Sequence, residues 1–239
     1  MSPDAHPGSA RDACVLVFVR APQAGKVKTR LARSLGDAAA LALYRAFVAD
    51  LLDTLRRCGQ PVIGCCTPAA ARGAVAAWMA PLAGVYPQTG AGLGARMANA
   101  FGRAFHDGFR RVLLVGSDLP DLPAAVFEAG FAVLAEHPAV IGPTLDGGYY
   151  LIGFRPDTFV PAVFEAIPWG TPRVLAETLA AFRRHALGVH RLPVWRDIDD
   201  LDDLLAFARR PQAAAAPARR TRTVLAGLDP AGAKACRAP

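Results

Sequence analysis

The sequence predicts an α/β sheet with helices on both faces, and three observations support this. Short β-branched and apolar runs alternate with helical patterns of ten or more residues along most of the chain, which implies parallel strands joined by crossover helices. Hydrophobic residues make up 53% of the 239 positions, enough for one sizeable core and too many for a disordered chain. No internal repeat of fixed period is present along the chain.

The elements follow in order. Residues 14–20 form a compact apolar run, a buried strand. A loop, R-A-P-Q-A-G-K-V-K-T-R, leads to a helix over 37–57, where Leu41, Tyr44, Val48, Leu51, Leu52 and Leu55 keep a helical period and Gly59 closes it. Strands are expected at 61–67, 85–87, 112–115, 139–143, 149–154 and 189–194. Helices are expected at 69–79, 93–106, 123–137, 158–166, 172–185 and 202–209. Residues 1–12 are polar and turn-rich. Residues 211–239 are rich in Ala, Pro and Arg with no sustained period, and read as a flexible tail. One domain over 13–210 remains.

Composition narrows the function classes. The formal charge is +7, but the five cations of residues 211–239 face only Asp229 there, so the body is mildly basic and a nucleic-acid partner is not expected. Five cysteines, two of them adjacent and none in a C-x-x-C pair, argue against a disulfide scaffold or a zinc site. A reducing cytoplasm is the natural setting. The apolar run at 14–19 is too short for a signal peptide and follows two aspartates. The 23 uncharged residues between Arg72 and Arg96 hold Pro81, Pro87 and four glycines after residue 80, so they read as a helix, a strand and a turn, with no membrane partner expected.

Five motifs could carry chemistry. In an open parallel sheet, ligands bind beyond the carboxyl ends of the strands. Arg20, Lys26, Lys28 and Arg30 fall at that edge within eleven residues. Such cations suit a polyphosphate, although a solvated basic turn has the same composition. Q-T-G-A-G-L-G-A-R-M at 88–97 is either a glycine-rich loop approaching a nucleotide, with Arg96 at the helix start, or a plain turn. Its G-x-G-x-x-A match to the dinucleotide fingerprint is weak. V-G-S-D-L-P ends a strand on Asp118, a ligand for a hard cation or a cap for the next helix, with Asp121 a poorer candidate. In W-R-D-I-D-D-L-D-D-L, Asp197 and Asp199 share one face if extended and could supply a second metal carboxylate. Asp200, Asp202 and Asp203 suit a helix start. In D-G-G-Y-Y-L-I-G, Asp146 belongs to a hairpin turn or faces a substrate. Trp169 lines a pocket or packs in its turn.

Taken together, R-A-P-x-x-G-K-V-K-T-R-L, G-L-G-x-R-M, G-S-D-L-P, D-G-G-Y-Y-L-I-G, W-G-T-P and D-I-D-D-L-x-D-L occur in one order. The set, from about Cys14 to Arg209, resembles the bacterial selenodomain-associated transferase 1 family, also called arsenosugar biosynthesis glycosyltransferase. That family is similar to the nucleotide-diphospho-sugar transferases of glycosyltransferase-A fold, with a mixed, mostly parallel sheet. The K-T-R-L stretch also resembles phospholactate guanylyltransferases, and G-S-D-x-P with a late D-I-D resembles molybdenum cofactor nucleotidyltransferases. The resemblance implies that Arg20, Lys28 and Arg30 meet the donor's phosphates and that Gly92, Gly94 and Arg96 border its base or ribose. It implies that Asp118 holds Mg2+ or Mn2+ with Asp197 or Asp199 as the second ligand. S-D-L stands where many glycosyltransferases carry D-x-D.

The expected activity is a metal-dependent transfer from a nucleotide-activated donor to a small-molecule acceptor, glycosyl transfer first, with Asp118 and Asp146 as the catalytic carboxylates. A nucleotidyltransferase releasing pyrophosphate is the rival, followed by a non-catalytic nucleotide-binding protein and a dehydrogenase.

Overall fold

The computed structural model describes residues 12–210 and 217–228. A seven-stranded sheet is built from β1 (Ala13–Arg20), β2 (Val62–Thr67), β3 (Gly84–Pro87), β4 (Arg111–Val115), β5 (Ala139–Pro143), β6 (Tyr149–Phe154) and β7 (Val189–Arg191), in the spatial order β3-β2-β1-β4-β6-β5-β7. β6 alone runs against its neighbours β4 and β5, while the other pairings are parallel, so the sheet is mixed and mostly parallel as expected.

Helices α1 (Thr29–Leu35), α2 (Asp37–Arg57), α3 (Arg72–Met79), α4 (Leu93–His106), α5 (Ala124–Glu136), α6 (Val174–Arg184), α7 (Leu201–Ala208) and α8 (Arg219–Ala226) complete it. Side chains of β1 alternate between the two faces. Val15, Val17 and Val19 join a cluster with Val48 and Leu51 of α2 and Phe127 of α5; Cys14 and Leu16 join one with Phe101 of α4 and Phe182 of α6. A third, smaller cluster lies apart from the strands. It unites Leu31 of α1, Leu43 and Phe47 of α2, Ile198, Leu204 and Phe207 of α7, and Ala218.

Besides shorter elements, with β7 ending at Arg191 where a strand to 194 is expected and α3 starting at Arg72 after a 3-10 turn, the structure departs from the sequence reading at three places. The loop after β1 is shorter than expected, because Lys28 turns the backbone left-handed (φ 46°) and α1 begins at Thr29. Gly36, at φ +82°, then separates α1 from α2. Of the helix expected at 158–166 only a 3-10 turn, Pro161–Phe164, forms; proline removes a backbone donor there.

The third departure is α8, within the segment read as a tail. The buried Asp50 carboxylate of α2 accepts the Arg220 and Thr221 amides at 3.0 and 2.7 Å, satisfying helix-start donors that the segment itself leaves unpaired. The Arg222 guanidinium lies 4.6 Å from the Phe207 ring centroid. The expectations for residues 1–11, 211–216 and 229–239 lie outside the described residues. Cys58, Cys65 and Cys66 are free thiols. Among the described residues no helix is long and apolar enough to cross a membrane.

Candidate functional site

The carboxyl ends of β1 and β4 open onto a cleft of about 580 Å3, walled by Arg20, Lys26, Lys28, Arg30, Arg96, Ser117, Asp118 and Asp199. β1 delivers Arg20 to its rim, where Tyr44 of α2 holds the backbone: the Arg20 amide donates to the Tyr44 hydroxyl, which donates in turn to the Arg20 carbonyl, each at 2.9 Å. Burial and the nearby Asp118 charge push the Tyr44 phenol well above its ordinary range, so it stays protonated.

Lys28 is the centre of the charge arrangement. Its left-handed backbone sends the side chain inward, and only 5% of that side chain is exposed. Nζ lies 2.9 Å from Asp118 Oδ2 and 2.7 Å from Asp199 Oδ1, and donates to the Ile198 carbonyl at 2.6 Å. An ammonium has three N–H groups, and all three are engaged. Burial works against the charge on Lys28, but Asp118 and Asp199 outweigh it and hold its pKa above the ordinary lysine value. For Asp199, burial is likewise outweighed by Lys28 and Arg30, and its pKa falls below the usual carboxylate range. Lys28, expected on a donor phosphate, is thus paired with the two acids instead.

Asp197 behaves differently. Burial first, then the charges of Asp199, Asp146 and Asp118, push its carboxyl up to about 7. Asp197 thus stands among three other carboxylates, four in all from three segments. The β5–β6 turn supplies the fourth: Asp146 Oδ1 accepts from the Thr144 hydroxyl and from the Gly148 amide at 3.0 Å. Asp146 is both the hairpin residue and a wall of a second, adjoining cavity of about 450 Å3. That cavity is more apolar, with Met97, Tyr149, Trp169 and Pro172 in its lining. It shares Phe18, Arg30, Leu93 and Asp199 with the first.

Other predicted residues fall elsewhere. Gly92 is the exposed residue before α4, and Gly94 packs rather than lining either cavity. A Cβ on Gly94 would stand 2.4 Å from the Phe164 carbonyl oxygen and 3.1 Å from the Trp169 ring, so the glycine lets α4 close on the 3-10 turn. Arg96 does line the basic cleft, with Nε on the Gly90 carbonyl at 3.3 Å. Asp121 is structural: it accepts from Trp195 Nε1 at 3.0 Å and pairs with Arg210. Asp200 and Asp203 form a capping box at α7. Sequence reasoning missed Tyr44, which looked like an ordinary core position of α2. It also missed Gln88, whose amide donates to the Cys65 and Val19 carbonyls at 2.8 and 3.3 Å beside the cleft. No linear signal marks Tyr44, whereas Gln88 opens the glycine-rich motif at 88–97 without being singled out in it.

Comparison with known proteins places this geometry in a family. The family described as "Uncharacterized protein conserved in bacteria (DUF2064)" matches residues 51–171, just over half of the chain. The chain belongs to the DUF2064 family. A candidate nucleotide-diphospho-sugar transferase from Desulfovibrio desulfuricans G20 is 41% identical to this DUF2064 protein, with a TM-score of 0.84 over 90% of this chain and 94% of that one. The phosphoenolpyruvate guanylyltransferase of Roseiflexus sp. (strain RS-1) is 39% identical over 103 residues, 41% of this chain and 44% of that protein, so the match spans less than half of that relative. Rv0371c from Mycobacterium tuberculosis H37Rv, in a complex with manganese, is 20% identical with a TM-score of 0.54 and supports the fold alone. The fold is that of the nucleotide-diphospho-sugar transferases and nucleotidyltransferases.

Proposed function

We infer that this DUF2064 protein is a metal-dependent transferase that takes a nucleotide-activated sugar and passes the sugar to a small acceptor, in the manner of the selenodomain-associated transferase 1 group. The observation that carries the sugar is the second cavity. Arg30 is the one cation among its described lining residues, against the carboxylates Asp146 and Asp199 and the aromatic side chains Tyr149, Tyr150 and Trp169. Such a wall suits a neutral, hydroxyl-bearing group, whose hydroxyls donate to carboxylates while its ring lies on aromatic faces. A phosphorylated acceptor would meet net repulsion there.

The donor's diphosphate belongs in the first cleft, against Arg20, Lys26 and Arg30, and Arg96 stands where the nucleoside would lie. The donor set fits a divalent cation. Asp118 and Asp199 direct one oxygen each at the Lys28 ammonium, at 2.9 and 2.7 Å, and no cluster of three or more His, Cys, Asp or Glu is arranged around a metal among the described residues. Two carboxylates completed by phosphate oxygens is the set that Mg2+ or Mn2+ takes. A bound cation supplies neutralisation of the charge that develops on the leaving diphosphate. The chain's own part is to hold that diphosphate on arginine and lysine in a preorganised cleft, and to orient an acceptor hydroxyl on Asp146.

Nucleotidyl transfer is the second reading, favoured by the guanylyltransferase relative and by a cleft lined by four cations besides the acid-paired Lys28, which suits a triphosphate. The deciding experiment incubates the protein with nucleotide-sugars and with nucleoside triphosphates, in Mg2+ and in Mn2+, and follows both products. Nucleoside diphosphate release supports sugar transfer. Pyrophosphate release that requires a phosphorylated acceptor overturns it, and binding without turnover of any donor leaves a nucleotide-binding protein.

A further inference from the structure

We propose that Lys28 is the occupant of the cation position, and that its ammonium and the divalent ion alternate there. The inference rests on the reading of Asp118 and Asp199 as the metal carboxylates. Nζ sits 2.9 Å from Asp118 Oδ2 and 2.7 Å from Asp199 Oδ1. A magnesium-sized cation needs those same two oxygens at about 2.1 Å. Both occupants cannot hold the same pair of oxygens, and a divalent ion beside an ammonium is strongly repelled.

Two further features make the arrangement a built one. Lys28 is a non-glycine residue at φ 46° and ψ 47°, a conformation that persists only where its surroundings impose it. The Ile198 carbonyl takes its third N–H at 2.6 Å, and the Phe47 ring lies 6.0 Å from Nζ. The ammonium is fully satisfied at the acid pair, and no N–H is left for a phosphate.

The consequence is a coupling between the two ligands. In the donor-free protein the acid pair is neutralised internally and cation affinity is low. A diphosphate entering beside Arg20 and Lys26 offers Lys28 another anionic partner. As the ammonium moves to it, Asp118 and Asp199 are released to the cation, so cation and donor enter together. Charge balances at each stage: an ammonium leaves the carboxylates as a divalent ion arrives, and the donor brings the compensating negative charge.

The test reads cation binding in the full chain, without turnover. Mn2+ affinity is measured by the paramagnetic resonance signal of the free ion, in the absence of nucleotide, for wild type and Lys28→Met. Lys28→Met is expected to bind at least tenfold more tightly, and adding Asp118→Asn to it is expected to remove the gain. Equal affinity of wild type and Lys28→Met, or a gain that survives Asp118→Asn, overturns the proposal.

Should Lys28→Met not fold, wild type provides a second measurement. The chain has three lysines, Lys26, Lys28 and Lys234, so acetic anhydride labelling followed by mass spectrometry carries its own references. Saturating Mn2+ is expected to raise Lys28 labelling relative to Lys234 at least fivefold, and a nucleoside diphosphate added with Mn2+ to lower it again. No rise with Mn2+ overturns the exchange, and labelling that stays high with diphosphate overturns the coupling. Turnover is assayed separately. A Lys28 exchange without turnover of any nucleotide-sugar sinks the transferase reading alone, and turnover without exchange sinks this proposal alone.

Discussion

The Ile198 amide donates to the Asp118 carbonyl at 3.0 Å, so the acidic stretch after β7 is tied main chain to main chain to the segment leaving β4. The Ile198 side chain is fully buried in the third cluster, while Asp197 and Asp199 on either side remain partly exposed. One apolar residue thus sets the height of two carboxylates.

Ile198→Ala is therefore expected to cost about 2–4 kcal/mol of stability, as for other large-to-small changes in a packed core. It should also weaken donor binding, because Asp199 loses its anchor. Urea unfolding and a nucleotide titration check the two effects. A stability loss with unchanged donor affinity would detach Ile198 from the site.

Asp197 predicts a pH dependence. Its folded pKa of about 7 lies above the ordinary 3.8, so folding favours the protonated carboxyl. The stability it contributes is fully present below about pH 4 and is lost as pH rises through about 7. Asp197→Asn should stabilise the protein at pH 8 by on the order of 1–2 kcal/mol, a figure reduced for partial solvent screening. It should change little at pH 4. Thermal unfolding in EDTA across that range is the measurement, and parallel profiles for both proteins would contradict it.

The two glycines of the α4 entry separate packing from ligand binding. Gly94→Ala places a methyl against the Phe164 carbonyl and the Trp169 ring, and is expected to cost about 1–3 kcal/mol and to distort the second cavity. A Cβ on Gly92 meets nothing within 4 Å, and Gly92→Ala should stay within about 0.5 kcal/mol of wild type. Chemical denaturation of the two variants side by side tests this.

Asp50→Ala should release α8. It removes the acceptor for the Arg220 and Thr221 amides and part of the Arg220 ion pair. The expected cost is about 1–3 kcal/mol, as when buried donors lose their partner. Hydrogen exchange should accelerate at 219–226 first. Uniform acceleration over the whole chain would show that Asp50 serves the body of the protein rather than this helix.

What the sequence disclosed follows from physical locality. The seven strands and the long α2 were visible because alternation and helical period are written over consecutive residues, as in Val15, Val17 and Val19 against Cys14 and Leu16. The α4 and α7 starts were visible because glycine and aspartate mark them. α8 was hidden because its start is satisfied by Asp50, 170 positions away. Lys28 looked like one more cation of a basic loop, since nothing local marks a backbone turned left-handed or an ammonium aimed at Asp118 and Asp199. Gly94 looked like a nucleotide-loop glycine for the same reason. The residue that requires its small size, Phe164, lies 70 positions on.

The small third cluster has a consequence of its own. Leu31, Phe47, Ile198, Phe207 and Ala218 form a unit separate from the strands, and next to them in sequence stand Arg30, Asp197 and Asp199. Units of this size can open sub-globally while the sheet stays closed. Donor binding should then register as slowed amide exchange in α1, α7 and α8, with little change in β1 or β4. Arg30, Asp197 and Asp199 would ride on a foldon that ligands can tighten, set beside a scaffold that ligands leave as it was.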